Sequence, residues 1–169
     1  MGSMRNETAP WPSGPGLPSN AEIDDNFASY CRQEASEQEG FTAIRRSAVQ
    51  SPFGPMSSAA SLDELSPVTL AQLLSAPVHR PDLLLRLRLV APAALLAAVI
   101  TVVEDDTGQR MRLFVYNTPC AARDDARRFL PLGARFALKA PFLKRCADGW
   151  LGLRVDYSDA LGACISSLD

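Results

Sequence analysis

Histidine is nearly missing from these 169 residues: the one present, His79, stands beside Arg80 and Pro81 without a neighbouring serine or cysteine to activate. That removes the usual signature of a histidine-activated nucleophile or a histidine-rich metal centre. The four cysteines, Cys31, Cys120, Cys146 and Cys164, contain no C-x-x-C pair, the spacing by which chains commonly supply sulfurs to one tetrahedral ion. Glycine-rich phosphate loops are missing too, since Gly108, Gly133, Gly149, Gly152 and Gly162 stand apart from one another. No apolar run reaches the roughly 18 to 20 residues of a membrane helix; the longest, Val90 to Val103, stops at Glu104-Asp105-Asp106. These absences predict no metal, no cofactor and no membrane contact. The start of the chain shows no basic stretch followed by an apolar one, so reduced cysteines and a cytoplasmic or nuclear setting are expected.

What is there is uneven. The net charge is -2, but residues 1–82 carry 5 basic and 10 acidic groups whereas residues 83–157 carry 12 basic and 7 acidic. The first twenty residues hold Pro10, Pro12, Pro15 and Pro18, which disfavour helix and sheet alike. Residues 1–61 therefore read as a disordered acidic leader, and residues 162–169 as a tail. Within the leader, Ile23, Phe27, Tyr30 and Cys31 fall at i, i+4, i+7 and i+8, a thin helical stripe.

A domain is expected over residues 62–161. Ser66 as N-cap and Pro67 at the first turn predict a short helix over 67–75. The period then changes from 3.6 to 2: Leu85, Leu87 and Leu89 alternate with Arg86 and Arg88, as in a strand with one dry and one wet face. Leu95 to Glu104 reads as a buried strand, Asp105-Asp106-Thr107-Gly108 as a hairpin turn, and Arg110 to Asn117 as the returning strand. In that strand Met111, Leu113 and Val115 share one face and Arg112, Phe114 and Tyr116 the other. A charged helix over 121–130, a strand over 135–140 bent at Pro141, a turn at Asp148-Gly149 and a strand over 150–156 complete the pattern. Five strands with a helix between the third and fourth predict a mainly β fold, a small five-stranded OB-like Greek-key barrel.

The series Val102-Val103-Glu104-Asp105-Asp106-Thr107-Gly108, Leu113-Phe114-Val115-Tyr116-Asn117, Lys139-Ala140-Pro141-Phe142-Leu143-Lys144 and Asp148-Gly149 running into Leu153-Arg154-Val155-Asp156-Tyr157-Ser158-Asp159 resembles a known region. It is similar to the segment preceding the tetratricopeptide repeats of fungal-type TPR and SET domain proteins, and the likeness covers about residues 66–161. Ala140 and Tyr157 depart from that pattern, which has Glu and His there. The resemblance implies an accessory barrel that contacts protein. The methyltransferase motifs of a SET domain and the 34-residue helical repeat are not found in this sequence, so the expectation is that the chain is not an enzyme.

The alternative is a single-stranded nucleic-acid binder of the OB type. Aromatics that stack on bases and cations that neutralise phosphates are what such a sheet needs. The candidate ligand face is Arg86, Arg88, Arg112, Phe114, Tyr116, Lys139 and Arg154. The competing reading puts Phe114 and Tyr116 under the charged helix over 121–130, with the arginines on the wet side. The paired carboxylates Asp105-Asp106 and Asp124-Asp125 fall in turn and helix-start sequence, where Asp is favoured for conformational reasons.

Overall fold

The computed structural model describes residues 18–36, 60–75, 80–146 and 149–156. The proline-rich start, the Ser/Pro/Gly linker, His79, Asp148, Cys164 and the C-terminal tail lie outside the described residues. The elements are helix α1 (Asn20–Ser36), strand β1 (Ser66–Val68), helix α2 (Leu70–Ser75), strands β2 (Leu83–Leu89), β3 (Ala94–Leu95), β4 (Val99–Asp105) and β5 (Arg110–Val115), helix α3 (Arg123–Phe129), and strands β6 (Arg135–Lys139), β7 (Leu143–Arg145) and β8 (Leu151–Val155). The fold is mainly β. Eight strands form one curled sheet in the order β1-β2-β4-β5-β8-β7, with β6 on β2 and β3 on β4.

Each of the five expected strands is present as β2, β4, β5, β6 or β8, but the described residues hold eight. The additions, β1, β3 and β7, have two or three residues each, too few for alternation to register in a sequence. The apolar run from Leu95 also breaks: Leu96 N donates to Ala98 O, a turn that separates β3 from β4 and lets the two pair antiparallel. At the start of the domain the expected helix over 67–75 is shorter. Residues 66–68 pair in parallel with Leu83, Leu84 and Leu85, and the helix begins at Leu70. The reason is a better cap two residues on: Gln72 N donates to Thr69 Oγ1 while Thr69 N donates to Gln72 Oε1, the reciprocal capping box.

Alternation along the strands gives the sheet two different faces. The inner face gathers Leu85, Leu87, Leu89, Val99, Val103, Met111, Leu113, Val115, Phe136, Leu138, Leu153 and Val155 into one core, closed by Leu70 and Leu73 of α2 and by Ala126 and Leu130 of α3. A second core lies on the outer face, where Ile100, Val102 and Phe114 meet Ile23 and Phe27 of α1. The thin stripe expected in the leader is thus a 17-residue helix lying on the sheet, with Ile23 fully buried and Phe27 6% exposed. Each such side chain contributes about 1.5 to 3 kcal/mol of burial, so the folded unit includes residues N-terminal to position 62. Ser19 and Glu22 start the helix with their own capping box.

The β6–β7 segment touches both sides of the sheet. Its first half pairs with β2 and its second half with β8. Through the bend between them, where Ala140 takes φ 49°, Ala140 N donates to Leu83 O and Arg154 N to Phe142 O. The ladder therefore continues across Pro141 onto two different strands. Gly149 takes φ 83° in the turn that leads into β8, a conformation side-chain-bearing residues disfavour.

One carboxylate organises the β4–β5 hairpin. Asp105, 6% exposed, accepts Thr107 N, Thr107 Oγ1 and Gln109 N on Oδ1, and Leu70 N at the start of α2 on Oδ2. Asp105→Ala strands those donors, and each buried donor left without a partner costs about 1 to 3 kcal/mol. The expected outcome in urea unfolding is a stability loss of roughly 2 to 4 kcal/mol, with a loss below 1 kcal/mol showing that water replaces the carboxylate.

Candidate functional site

The seven residues of the expected ligand face do not form one surface. Arg112 and Phe114 of β5 project from the outer face, and α1 covers them: Arg112 is fully buried and Phe114 is 3% exposed. The covering element is α1 and not the charged helix over 121–130, which as α3 packs Ala126 into the inner core. Sequence periodicity put the two side chains on one face, but the competing reading set Phe114 and Tyr116 under the charged helix and the arginines on the wet side, whereas Arg112 is buried with Phe114 beneath α1.

Around them lies a stack of cations and rings. The Arg112 guanidinium carbon is 5.5 Å from the ring centres of both Tyr30 and Phe114 and 6.0 Å from that of Trp150. Its Nη1 donates to the Tyr30 hydroxyl at 2.9 Å. Tyr30 meets Phe114 edge-on, 5.9 Å between centres at 80°, the geometry ring quadrupoles prefer. Lys144 Nζ of β7 sits 4.1 Å from the Phe114 centre and bonds to the Tyr116 hydroxyl. Arg154 lies over Tyr116 at 4.9 Å and donates Nε to Asp156 at 2.5 Å. Of the expected residues, then, Arg112, Phe114, Tyr116 and Arg154 come together, joined by Tyr30, Lys144 and Trp150.

Arg86, Arg88 and Lys139 are elsewhere. In the strand order β2 lies on the opposite flank of β4 and β5 from β8 and β7. Arg88 pairs with Glu104 at 2.7 Å, Arg86 is exposed, and Lys139 Nζ donates to Ala60 O at 2.6 Å. The cations of β2 and β6 therefore stand apart from the rings of β5, whose own cationic neighbours are Arg112, Lys144 and Arg154.

Polar contacts hold α1 down along its length. Asn20 Nδ2 donates to Gly108 O and its Oδ1 accepts Arg110 N, so one amide completes the hairpin edge. Asp24 pairs with Arg110 at 2.5 Å. Glu34, 5% exposed, accepts Leu95 N and pairs with Arg123. None of Asn20, Asp24 and Glu34 was singled out from sequence, although Ser19-Asn20-Ala21-Glu22 carries the capping-box signal and all three lie on the helical stripe already visible in Ile23 and Phe27.

One carboxylate of each pair read in sequence has structural work, and its neighbour, Asp106 or Asp124, is exposed. Asp105 is saturated by the hairpin, and Asp125 accepts Ala121 N and Ala122 N at the start of α3. Its carboxyl lies below the usual range, held there first by the Arg128 hydrogen bond. Among the described residues no group of three or more His, Cys, Asp or Glu side chains is arranged to hold a metal ion, and no helix is long and apolar enough to cross a membrane.

No protein-family model matches the chain. Among curated proteins it is similar to one from Gibberella zeae named "Methyltransferase", 28% identical over 131 residues, which is 78% of this chain and 17% of that protein. The match overturns the expectation that the chain is not an enzyme, because the name of the similar protein points to enzymatic activity. The aligned part is a small fraction of its length.

Two tests follow from the site. Gly152 of β8 lies against Phe114: a Cβ there would stand 2.6 Å from Phe114 Cε2. Gly152→Ala should cost about 1 to 3 kcal/mol by overpacking, and Phe114→Leu in that background should recover part of it. A cycle with no coupling between the two positions would show that the ring does not depend on the glycine. The second test is pH. The Glu104 carboxyl lies below its usual value of 4.5, chiefly through the hydrogen bond from Arg110 and then that from Arg88. A carboxyl depressed in the folded state stabilises fully above its unfolded pKa, and that contribution is lost as pH falls through the folded value. Glu104→Gln should therefore flatten the decline in melting temperature below about pH 4.5; parallel acid profiles for the two proteins would contradict it.

Proposed function

We propose that this chain is an OB-type barrel through which a methyltransferase-related protein contacts a protein partner. Its connectivity supports the barrel reading. β2, β4 and β5 form an antiparallel meander, α3 follows, β6 returns to the far side of β2, and β8 adds in parallel to β5. The β6–β7 segment, shared between β2 and β8, supplies the closure a small Greek-key barrel needs.

The observation that carries protein contact over single-stranded nucleic acid is the burial of Arg112 and Phe114 beneath α1. Strand binding on such a sheet depends on rings open to stack with bases, and here that surface already holds an amphipathic protein segment. The resemblance of residues 66–161 to the region before the TPR repeats of TPR and SET proteins favours the same reading. On this reading the barrel acts by holding a protein partner. A cytoplasmic or nuclear setting fits the free thiols of Cys31, Cys120 and Cys146.

The experiment has two arms. Labelled single-stranded oligonucleotides are titrated into the whole chain at two salt concentrations, because phosphate contacts make log K fall with log salt. The Gibberella zeae protein lacking its aligned segment is immobilised and titrated with the same chain. Saturable binding to the immobilised protein is expected, with oligonucleotide affinity weaker than about 10 μM, within the non-specific range. Tighter, salt-dependent oligonucleotide binding, or no capture by the immobilised protein, overturns the proposal.

A further inference from the structure

At the β7–β8 end of the outer face, hydrogen-bond donors gather without acceptors. Lys144 of β7 and Arg154 of β8 both lie over the Tyr116 ring, 5.0 and 4.9 Å from its centre. Two cations on one ring repel each other. Lys144 pairs with no carboxylate among the described residues: its partners are the Phe114 and Tyr116 rings and the Tyr116 hydroxyl. The one carboxylate paired at this corner, Asp156, takes Arg154 Nε at 2.5 Å.

The hydrogens left over are all donors. An ammonium can only donate, so the Tyr116 oxygen accepts from Lys144 and keeps its own O–H to give. Lys144 in turn retains two further N–H groups. Arg154 Nη2 is buried with no hydrogen-bond partner, and a buried donor left unmatched is rare enough to call for a reason. Tyr116, Lys144 and Arg154 are each partly exposed, so the corner is reached from solvent.

We infer that this corner binds a phosphomonoester group. The phosphoryl group brings three strong acceptor oxygens where a carboxylate brings two, and three donors gather around the Tyr116 ring: its own hydroxyl, Lys144 Nζ and Arg154 Nη2. Hydrogen bonds between such ionised partners are the strong ones. Lys144 supplies charge that no carboxylate neutralises. Arg154, already tied to Asp156 through Nε, supplies direction. A nucleic-acid strand suits the corner less well than a single phosphate, because the neighbouring ring that would stack a base, Phe114, is 3% exposed and packed against α1. The inference goes beyond the protein-contact reading, since it needs only the phosphoryl group, whether carried by a side chain of a protein or by a small molecule.

The test is fluorescence anisotropy with a labelled phosphoserine peptide, its serine counterpart and a single-stranded oligonucleotide, with inorganic phosphate as unlabelled competitor. The proteins are the whole chain, Lys144→Gln, Tyr116→Phe and, as a control for bulk charge, Arg127→Gln at an exposed position of α3. Thermal melts confirm folding. Tyr116→Phe keeps the ring and removes only the hydroxyl, so it decides the matter if Lys144→Gln fails to fold. The phosphopeptide is expected to bind at least tenfold tighter than its serine counterpart. Lys144→Gln and Tyr116→Phe should each weaken it about tenfold, the loss of a hydrogen bond to a charged group, and Arg127→Gln should leave it unchanged. Inorganic phosphate should compete. Competition near the phosphopeptide's own Kd shows that the phosphoryl group alone is held, as from a small molecule; competition only at far higher concentration shows that flanking residues add to it, as from a phosphorylated protein. No competition, no saturable phosphopeptide binding below about 1 mM, the weak end of measurable affinity, equal weakening in all three variants, or tighter binding of the oligonucleotide overturns the inference.

Discussion

The burial of a positive charge on the outside of a curled sheet is the constraint from which the rest of this structure follows. Arg112 lies on β5 with no exposure to solvent, and a cation removed from water must regain several kcal/mol from its surroundings. It does so from three aromatic faces and a tyrosine hydroxyl, one of each supplied by α1 through Tyr30. The helix is therefore part of the environment that makes the β5 sequence tolerable. Without α1, Phe114, Val102 and Ile100 would form an apolar patch in water on the same face.

Polar groups position that helix. Asn20 at one end and Glu34 at the other, fourteen residues and about four turns apart, each complete a backbone hydrogen bond that the sheet leaves open. The apolar stripe between them supplies the burial energy, whereas the amide and the carboxylate set the register, because a shift of one turn would leave buried donors unmatched. The chain Arg88–Glu104–Arg110–Asp24 links β2, β4, β5 and α1 in the same way. Its outer members are solvent-exposed enough that screening limits their worth to orientation more than stability.

This arrangement divides the outer face. On one flank of α1 the cations Lys144 and Arg154 are engaged by rings and by Asp156. On the other, Arg86 and Arg135 are exposed along a groove that also holds Glu104, Asp105 and Asp106. The cations of the first flank contribute to the fold; on the second, no acidic side chain among the described residues pairs with Arg86 or Arg135. A sequence-level count of basic residues treats both alike, which is why the seven expected ligand residues scatter over three places.

Local chemistry alone was enough for much of this. Alternation in Leu85-Arg86-Leu87-Arg88-Leu89 specified a two-faced strand, Asp105 to Gly108 specified the hairpin, and the lost period between Pro119 and Leu132 specified α3, because those signals reside in neighbouring side chains and in backbone freedom. The sequence by itself also assigned Arg112, Phe114 and Tyr116 to one face. It did not say what covers that face, since the partners, Ile23, Phe27 and Tyr30, stand about eighty residues earlier and a thin stripe carries no record of the surface it meets. Nor did it register β1, β3 and β7, whose two or three residues owe their conformation to the strands they pair with. Tertiary packing alone decided that Arg112 is a core residue and Arg86 a surface one, because the same side chain on the same kind of strand is buried or free according to which distant segment lies over it.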